Sequence, residues 1–325
     1  MCRRFVFIVL LASLGNQCAI SRSDCDTEDV LCGDVALLYF LRFLPVFVVG
    51  GSNAEIYTSN DGLNYSGPSG FGVGTYNAGA FANNRFVLVS SSAPQKIGAA
   101  QAGVSWSTVD RPTGFSPSGI VGAFGLVIMV GDSGNEKIFT SVDGLNLTDR
   151  SPSPTGAILT GVAYGNGVAI TVSDVSTQYR SSDGINWSGP FATPSDFTRI
   201  SFGLGRFVGI DSSRDAYVSV DGGNSWSGPS ATGFTIGLTD LIFDGGYFVG
   251  TSTNGDIRIS PDGLNWTPVL TGASPLRNLA HGRGATIAVG DAGTVYYSTD
   301  RLNWSLLPAV GSLQLSQAVF GAPLF

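Results

Sequence analysis

The chain has 325 residues, with 17 Lys or Arg, 24 Asp or Glu and a single His, so its formal net charge is −7. An acidic chain does not offer the cationic surface that phosphate backbones require, which argues against nucleic-acid binding. Its 45 glycines interrupt any helical pattern and favour many short strands joined by turns.

The N-terminus reads MCRRFVFIVLLASLGNQC, in which two arginines precede the apolar run Phe5–Leu14. This pattern is typical of a secretion signal over residues 1–17, and the run is too short for a stable membrane span. We expect lipidation at Cys18, as in a bacterial lipoprotein, and anchoring in the outer membrane or periplasm. Gln17 departs from the usual small residue before the cysteine, so cleavage after Gly15 and free secretion remain the alternative.

Residues 18–44 form a predicted tether between this signal and the repeats. From Cys18 onward, without the two leader arginines, 15 Lys or Arg face 24 Asp or Glu, which gives a net charge of −9. Cys25 and Cys32 either form a small disulfide loop or remain free thiols in a flexible tether. The apolar residues 34–44 either pack on the following domain or lie at the membrane surface.

One motif then recurs along the rest of the chain, as in SSDGINWSGP (181–190) and SPDGLNWTP (260–268). Successive copies are 38 to 41 residues apart when aligned on their last apolar position, which includes all five tryptophans. These positions are Tyr65, Trp106, Leu147, Trp187, Trp226, Trp266 and Trp304. Six copies carry an aspartate, at Asp61, Asp143, Asp183, Asp221, Asp262 and Asp300, and the second copy has Ala102 instead.

Each repeat contains short apolar runs separated by Gly, Asn, Asp and Ser, which predicts four antiparallel strands. Such a unit cannot bury both of its faces alone, so radial stacking into an all-β, seven-bladed β-propeller over residues 45–325 is predicted. The first copy begins at its second strand, PVFVVGG (45–51), and the C-terminal stretch LQLSQAVFGAPLF (313–325) resembles a missing first strand. We expect this C-terminal strand to close the first blade.

The stretch SVDGGNSW (219–226) fits the signature Ser-x-Asp-x-Gly-x-Ser/Thr-Trp, and the other copies are one residue shorter. Over residues 45–325 the chain thus resembles Asp-box (BNR-like) repeat propellers of the bacterial exported lipoprotein type. Such repeats occur in sialidases, in some endoglucanases and in assembly factors similar to the photosystem II stability factor. The resemblance implies the fold strongly and the function weakly.

The motif's spacing has a local physical explanation. An aspartate at a hairpin turn accepts hydrogen bonds from the next backbone N–H groups, glycine supplies positive φ, and the aromatic ring packs beneath. We therefore interpret the six aspartates as structural, together with the tryptophans at positions 106, 187, 226, 266 and 304. Five Asn-x-Ser/Thr sequons occupy one repeat position, and we interpret them as products of duplication rather than glycosylation sites.

The Asp-box turns join the third strand of each blade to the fourth, so they share one face of the ring, the Asp-box face. The sialidases and similar enzymes bind ligands on the opposite face, which carries the second turn of each blade, between strands two and three. We therefore predict the ligand on that opposite face. Its second-turn loops carry several acids, which could hold calcium or a basic partner, although Asp also simply suits tight turns. These acids are Glu55, Asp132, Glu136, Asp174, Asp211, Asp215, Asp256 and Asp291. The sequence leaves any metal unassigned, contains no His or Cys cluster, and places its one histidine, His281, on the Asp-box face.

We expect a monomeric, non-catalytic platform that binds a protein or glycan at the cell envelope and needs no cofactor. A carbohydrate-active hydrolase is one alternative, for which a sialidase-like site would need three converging arginines, a Tyr–Glu pair and an acid. The available arginines, which match no further motif, are Arg111, Arg150, Arg180, Arg214 and Arg258. An assembly factor for another envelope protein is the third interpretation.

Overall fold

A computed structural model describes residues 45–91, 93–132, 134, 136–152 and 156–322. The chain divides into two units, Met1–Arg42 and Phe43–Phe325, and every described residue belongs to the second. The predicted signal, the Cys18 lipidation site, the Cys25–Cys32 pair and the residue 34–44 segment lie outside the described residues.

The described residues form seven four-stranded antiparallel sheets, and these contain no α-helix. Blades 1 to 3 contain, in chain order, β1 (Val46–Gly51), β2 (Ile56–Ser59) and β3 (Ser66–Ser69); β4 (Tyr76–Ala82), β5 (Arg85–Ser90), β6 (Lys96–Ala100) and β7 (Ser107–Asp110); β8 (Ser116–Ala123), β9 (Leu126–Asp132), β10 (Glu136–Ser141) and β11 (Thr148–Asp149). Short 3₁₀ segments span Ser52–Ala54 and Asp291–Gly293.

Blades 4 to 7 follow the same up-and-down order. Their strands are β12 (Leu159–Gly165), β13 (Val168–Ser173), β14 (Thr177–Ser181) and β15 (Ser188–Ala192); β16 (Phe197–Gly203), β17 (Arg206–Asp211), β18 (Asp215–Ser219) and β19 (Ser227–Ala231); β20 (Leu238–Phe243), β21 (Phe248–Ser252), β22 (Ile257–Ser260) and β23 (Thr267–Leu270); β24 (Leu276–Gly282), β25 (Ala285–Gly290), β26 (Val295–Ser298) and β27 (Ser305–Leu306). The seven-bladed propeller predicted from the period is confirmed.

The C-terminal strand β28 (Leu315–Gly321) is the innermost strand of blade 1. It pairs antiparallel with β1, with Phe47 opposite Phe320 and Val49 opposite Ala318. Closure of the ring by the two ends of the domain is therefore confirmed. Without β28, the inner edge of β1 would have no strand beside it. The pairing with β28 therefore satisfies the backbone hydrogen bonds of that edge.

The hydrophobic core lies in the layers between neighbouring blades. One cluster joins Val48 and Ile56 of blade 1 to Tyr76 and Phe86 of blade 2, and all four side chains are buried. Strand two of each blade supplies the most deeply buried residues, because it has a strand on both sides and a blade on both faces. Within the described part of the chain, no helix has both the length and the apolar character that a bilayer crossing requires.

The propeller has two chemically different faces. The repeated motifs connect the third strand of each blade to the fourth, and they share a face, the Asp-box face, with the turns between strands one and two. The turns between strands two and three share the other face, the linker face, with the connections between blades. The loops predicted to carry the ligand are all on the linker face.

Candidate functional site

The Asp-box turns use their carboxylates to hold their own backbone. In blade 4, Asp183 Oδ1 accepts hydrogen bonds from the backbone N–H of Ile185 and of Asn186, both at 2.8 Å. Ser181 Oγ also donates to Oδ1 at 3.0 Å, and Asn186 Nδ2 donates to Oδ2 at 2.7 Å. Both carboxylate oxygens are therefore occupied within the turn.

The other Asp-box carboxylates are bound in the same manner, and these hydrogen bonds lower their pKa values. The Ser225 hydroxyl and backbone N–H lower the pKa of Asp221 to about 2, and the Asn303 backbone does the same for Asp300. At Asp262, burial acts in the opposite sense, yet the bonds from Asn265 prevail and the pKa is about 2. The pKa values of Asp61, Asp143 and Asp183 are also well below the usual range.

Each turn also packs on the preceding blade. A Cβ on Gly184, whose φ is +74°, would lie 3.1 Å from the Phe124 ring of blade 3, so both the conformation and the space favour glycine there. Four tryptophans cap the turns by donating from Nε1 to the carbonyl three residues earlier, at Gly103, Gly184, Gly263 and Arg301. Asp-box turns thus connect blades as well as strands.

The second-turn acids do not converge on one point. Most bind their own loop or the neighbouring linker: Asp174 accepts from Ile158 N at 2.8 Å, Asp256 from Gly272 N at 3.1 Å, and Glu136 from Gly156 N at 3.2 Å. The remaining contacts are Asp132 with Gly134 N, Asp211 with Ser195 Oγ and Asp215 N, Glu55 with Tyr57 Oη, and Asp291 with Arg277 and Gln314. Among the described residues, no three His, Cys, Asp or Glu side chains are grouped as metal ligands.

A hollow of about 320 Å³ opens at the mouth of the central channel on the linker face. We call it the channel mouth, and its lining is polar, with two arginines and no carboxylate. The lining residues are Thr75, Tyr76, Asn77, Arg199, Leu238, Thr239, Arg277, Gln314, Ser316 and Gln317. They come from the beginnings of innermost strands and the linkers before them.

Arg199 is held in the channel by backbone carbonyls. Its Nε donates to Thr239 O at 3.0 Å and its Nη1 to Thr198 O at 2.7 Å. Burial lowers the pKa of Arg199, while the nearby Asp240 carboxylate acts to raise it. These bonds use Nε and Nη1, which leaves Nη2 of Arg199 for a ligand. Arginine stays protonated in proteins, so this nitrogen carries part of a positive charge.

Asp240 lies beside Arg199 and is bound to blade 7. Its Oδ2 accepts hydrogen bonds from Leu279 N and from Asn278 Nδ2, both at 2.9 Å. Burial nevertheless raises the pKa of Asp240. Asn278 Oδ1 in turn accepts from Ala318 N at 2.8 Å, so these side chains connect blades 6, 7 and 1 around the channel.

Arg277 is oriented by a bidentate ion pair. Its Nε and Nη2 donate to the two oxygens of Asp291, each at 2.9 Å, and these bonds raise the pKa of Arg277. Gln314 Nε2 donates to the same carboxylate at 3.0 Å. Asp291, one of the predicted ligand-face acids, therefore positions a cation at the channel mouth.

The channel mouth is polar on only one side. The residue that follows the β-bulge near the start of the innermost strand is polar in four consecutive blades, 5, 6, 7 and 1, and is small in the other three. The polar residues are Arg199, Asp240, Asn278 and Gln317, and the small ones are Ala78, Gly119 and Gly161. Sequence reasoning missed this set, although aligning FTRISFG and LTDLIFD with LTGVAYG would have exposed it.

The arginines considered for a sialidase-like site are not brought together. Arg111 Nη1 donates to Ser90 O at 3.4 Å, Arg150 Nε to Thr140 Oγ1 at 3.3 Å, and Arg258 Nη1 to Thr232 O at 3.3 Å. Arg180 and Arg214 lie on opposite faces, in the third strand of blade 4 and the second turn of blade 5. His281 Nδ1 is 2.9 Å from Thr286 Oγ1 within blade 7.

Comparisons with known proteins identify the fold. No protein-family profile and no curated protein sequence matches the chain. YCF48 bound to D1 peptide is 18% identical, with a TM-score of 0.58 over 76% of this chain and 86% of that one. YCF48 from Cyanidioschyzon merolae is 16% identical, with a TM-score of 0.56 over 73% and 86%. A catalytically inactive virginiamycin B lyase from Staphylococcus aureus, with quinupristin, is 11% identical, with a TM-score of 0.61 over 72% and 84%.

Proposed function

We propose that the protein is a non-catalytic binding propeller of the bacterial cell envelope that holds a segment of another protein at the channel mouth. The observation that carries this proposal is the pairing of Arg199 with Arg277 in one polar hollow, flanked by the amides of Asn77 and Gln317. Guanidinium and amide groups recognise peptide carbonyls and carboxylates through directed hydrogen bonds.

The hollow fits a small part of an extended segment rather than a folded surface. Its volume of about 320 Å³ lies at the lower end of ligand sites, so it takes an anchoring group while neighbouring residues of the partner contact the surrounding loops. YCF48, which shares the fold, has been determined with a D1 peptide bound, which supports a peptide as ligand here. A glycan with acidic or amide groups is the alternative ligand.

A hydrolase receives less support from the geometry. Glycoside hydrolysis uses two carboxyl groups at a set separation, and the channel mouth is lined by none. Asp240 and Asp291, the carboxylates next to it, are both engaged in hydrogen bonds. An assembly factor also binds a segment of its partner, and differs from a binding platform only in releasing that partner into a complex. The same channel mouth would therefore serve either role.

The proposed address rests on the N-terminal sequence. The leader over residues 1–17 and Cys18 would tether the propeller to the envelope through a lipid. Intact-mass spectrometry with detergent-phase partition tests this. A mature chain that starts at Cys18 with acyl chains supports the tether, and a lipid-free chain that starts at Asn16 contradicts it.

Selection of random peptides on the purified propeller tests the binding role. Peptides are displayed on phage, and the affinity of each enriched peptide is measured by fluorescence polarisation. We expect Arg199→Gln to weaken binding about tenfold or more, because it removes a charge-assisted hydrogen bond donor. Arg85→Gln, on the Asp-box face, is the matched control and should bind normally.

Two results would contradict the proposal. One is enrichment of peptides whose affinity is the same for wild type, Arg199→Gln and Arg277→Gln. The other is a failure to enrich any peptide while a glycan array gives binding that Arg199→Gln abolishes, which would establish the glycan alternative.

A further inference from the structure

A second hollow, independent of the channel mouth, lies on the Asp-box face between blade 4 and the Asp-box turn of blade 5. We call it the blade 4–5 groove, and its volume is about 370 Å³. It is lined by Val168, Arg180, Ser181, Ser182, Ser188, Phe191, Asp221, Gly222 and Asn224. The groove shares no lining residue with the channel mouth, so its ligand is independent of the function proposed there.

The groove arises from the one long Asp-box of the chain. The turn SVDGGNSW (219–226) has one residue more than its equivalents, and Gly223 O accepts a hydrogen bond from Gln178 Nε2 of blade 4. In four shorter turns the corresponding carbonyl accepts from the tryptophan Nε1, whereas Trp226 Nε1 has no partner among the described residues. The third strand of blade 4 therefore supplies a polar residue, Gln178, that binds the carbonyl of this longer turn.

Arg180 is a second residue of this strand that contacts the longer turn, and packing of the two blades does not require its charge. Its Nη1 donates to Asn224 Oδ1, across the blade interface. The equivalent residues of blades 1, 5 and 6 are Thr58, Val218 and Ile259, none of which carries a charge. A threonine or an aliphatic residue therefore suffices at this position for blades to stack, so the charge of Arg180 requires another explanation.

The guanidinium of Arg180 lies over the ring of Phe191, 4.0 Å from its centroid. Phe191 is 37% exposed and lines the groove beside this guanidinium. This cation–π contact holds the guanidinium at the wall of the groove. A guanidinium held in this way loses less entropy when a planar anion binds.

No carboxylate neutralises Arg180 in the part of the chain that the structure describes, since none lies within ion-pair distance. Asp221 also lines the groove, but its own turn occupies it: Ser219 Oγ and Ser225 N donate to Oδ1, and Ser225 Oγ donates to Oδ2. The hydroxyls of Ser182 and Ser188 are exposed beside this cation. The groove thus presents the Arg180 guanidinium and several hydroxyl and amide groups, beside the Asp221 carboxylate that its own turn holds.

We propose that the blade 4–5 groove binds an acidic sugar residue of a glycan. The sugar carboxylate contacts the guanidinium nitrogens of Arg180 that do not bond Asn224, and the sugar hydroxyls face Ser182 and Ser188. A carboxylate and a guanidinium match in shape and number of hydrogen bonds, and adjacent hydroxyls suit short polar side chains.

Isothermal titration calorimetry with galacturonic acid oligosaccharides tests the proposal, with the methyl ester of the same oligosaccharide as the neutral probe. The ester keeps every hydroxyl and removes only the charge. We expect the acid to bind wild type at least about tenfold more tightly than the ester, with an affinity that falls as salt rises. Arg180→Gln should remove this difference.

Two further variants separate binding from folding. Phe191→Ala leaves the blade interface intact, and it should weaken binding of the acid without changing the melting temperature. Arg85→Gln, on the same face and outside both hollows, should bind the acid normally. The proposal is overturned if acid and ester bind alike, if neither binds wild type at millimolar concentration, or if Arg180→Gln and Phe191→Ala bind the acid as wild type does.

Discussion

The two faces of the propeller connect the same seven blades in different ways. On the Asp-box face, one turn recurs with the same hydrogen bonds, as at Asp183 and Asp262. Around the channel, by contrast, the residue after the bulge of the innermost strand differs between blades, as with Arg199 and Gly161. Residues that every blade needs in order to fold recur in all seven blades, whereas a bound ligand contacts only some of the blades. Departures from the repeat therefore indicate binding sites, and adherence to it indicates structure.

We expect the largest difference between the two faces in the loss of folding stability at low pH, to which the Asp-box face contributes most. Hydrogen bonds depress the folded pKa of all six Asp-box aspartates, so their stabilising contribution is complete above the unfolded pKa of about 3.9. It is lost as pH falls through the folded values, about 2 at Asp221, Asp262 and Asp300. We expect the urea midpoint to fall steeply between about pH 4 and pH 2.

Asp240 at the channel mouth acts in the opposite sense, because burial raises its pKa. Its contribution to stability is complete below the unfolded pKa of about 3.9 and is lost as pH rises from there through the raised folded pKa. Since one such residue stands against six aspartates, the net trend should follow the Asp-box face. A urea midpoint that stays constant from pH 5 to pH 2 would show that these turns do not carry stability.

The next largest effect concerns the Asp-box turn of blade 7, where Arg301 occupies the glycine position with a φ of +67°. Its Nε donates at 2.6 Å to Asp244 Oδ2 of blade 6, and the Asp244 side chain is fully buried. Arg301→Gln should lower the free energy of unfolding by about 2–4 kcal/mol, because it leaves a buried carboxylate without its cation.

Urea denaturation of the single and double variants measures this effect. Arg301→Gln combined with Asp244→Asn should recover most of the loss, since no charge is then left buried. If the double variant is as unstable as the sum of its two single variants, the pair does not interact and the explanation is wrong.

A smaller loss is expected at an ordinary Asp-box. Asp262→Ala removes the acceptor of Leu264 N, Asn265 N and Asn265 Nδ2, and it should cost about 1–2 kcal/mol because the turn is partly exposed to water. Asp215→Ala is the control on the linker face, since the hydrogen bond that Asp215 makes to Asp211 comes from its backbone N–H and is kept in the variant. Equal unfolding midpoints for the two variants would remove the distinction between the faces.

The smallest expected change is a gain. The turn of blade 2 has Ala102 where the other blades have aspartate, so Val104 N and Ser105 N lack the acceptor present elsewhere. Ala102→Asp should raise the free energy of unfolding by about 0.5–1 kcal/mol, measured by thermal and urea denaturation. A destabilised variant would mean that this turn differs from the others in backbone geometry.

Most of the architecture could be predicted from the sequence. The spacing of the seven motif copies, whose last apolar position is a tryptophan in five, Tyr65 in one and Leu147 in one, predicted the number of blades, because each blade repeats the same turn. The similarity of residues 313–325 to a first strand predicted ring closure, which the pairing of Phe47 with Phe320 confirms. These features recur locally, so a pattern within one repeat is sufficient to find them.

The two candidate binding sites could not be predicted in the same way. Arg199 and Arg277 are 78 residues apart, and they meet only because the ring brings the first strands of blades 5 and 7 to one channel. The second-turn acids looked like a ligand-binding ring in sequence, but in space most are hydrogen-bonded to adjoining loops and linkers. Sequence composition reveals that a loop is acidic, and does not reveal which hydrogen bonds its carboxylates make.

Taken alone, the sequence determined the strand pattern and the chemistry of each turn, because these depend on residues close together in the chain. It also determined the period, because the same short motif recurs every 38 to 41 residues. Only the tertiary structure decided which unrepeated residues face each other, as with Arg180 and Asn224 across the blade 4–5 interface. The physical reason is that a propeller makes its contacts between neighbouring blades, about 40 residues apart, where side chains interact through space and leave no short-range pattern.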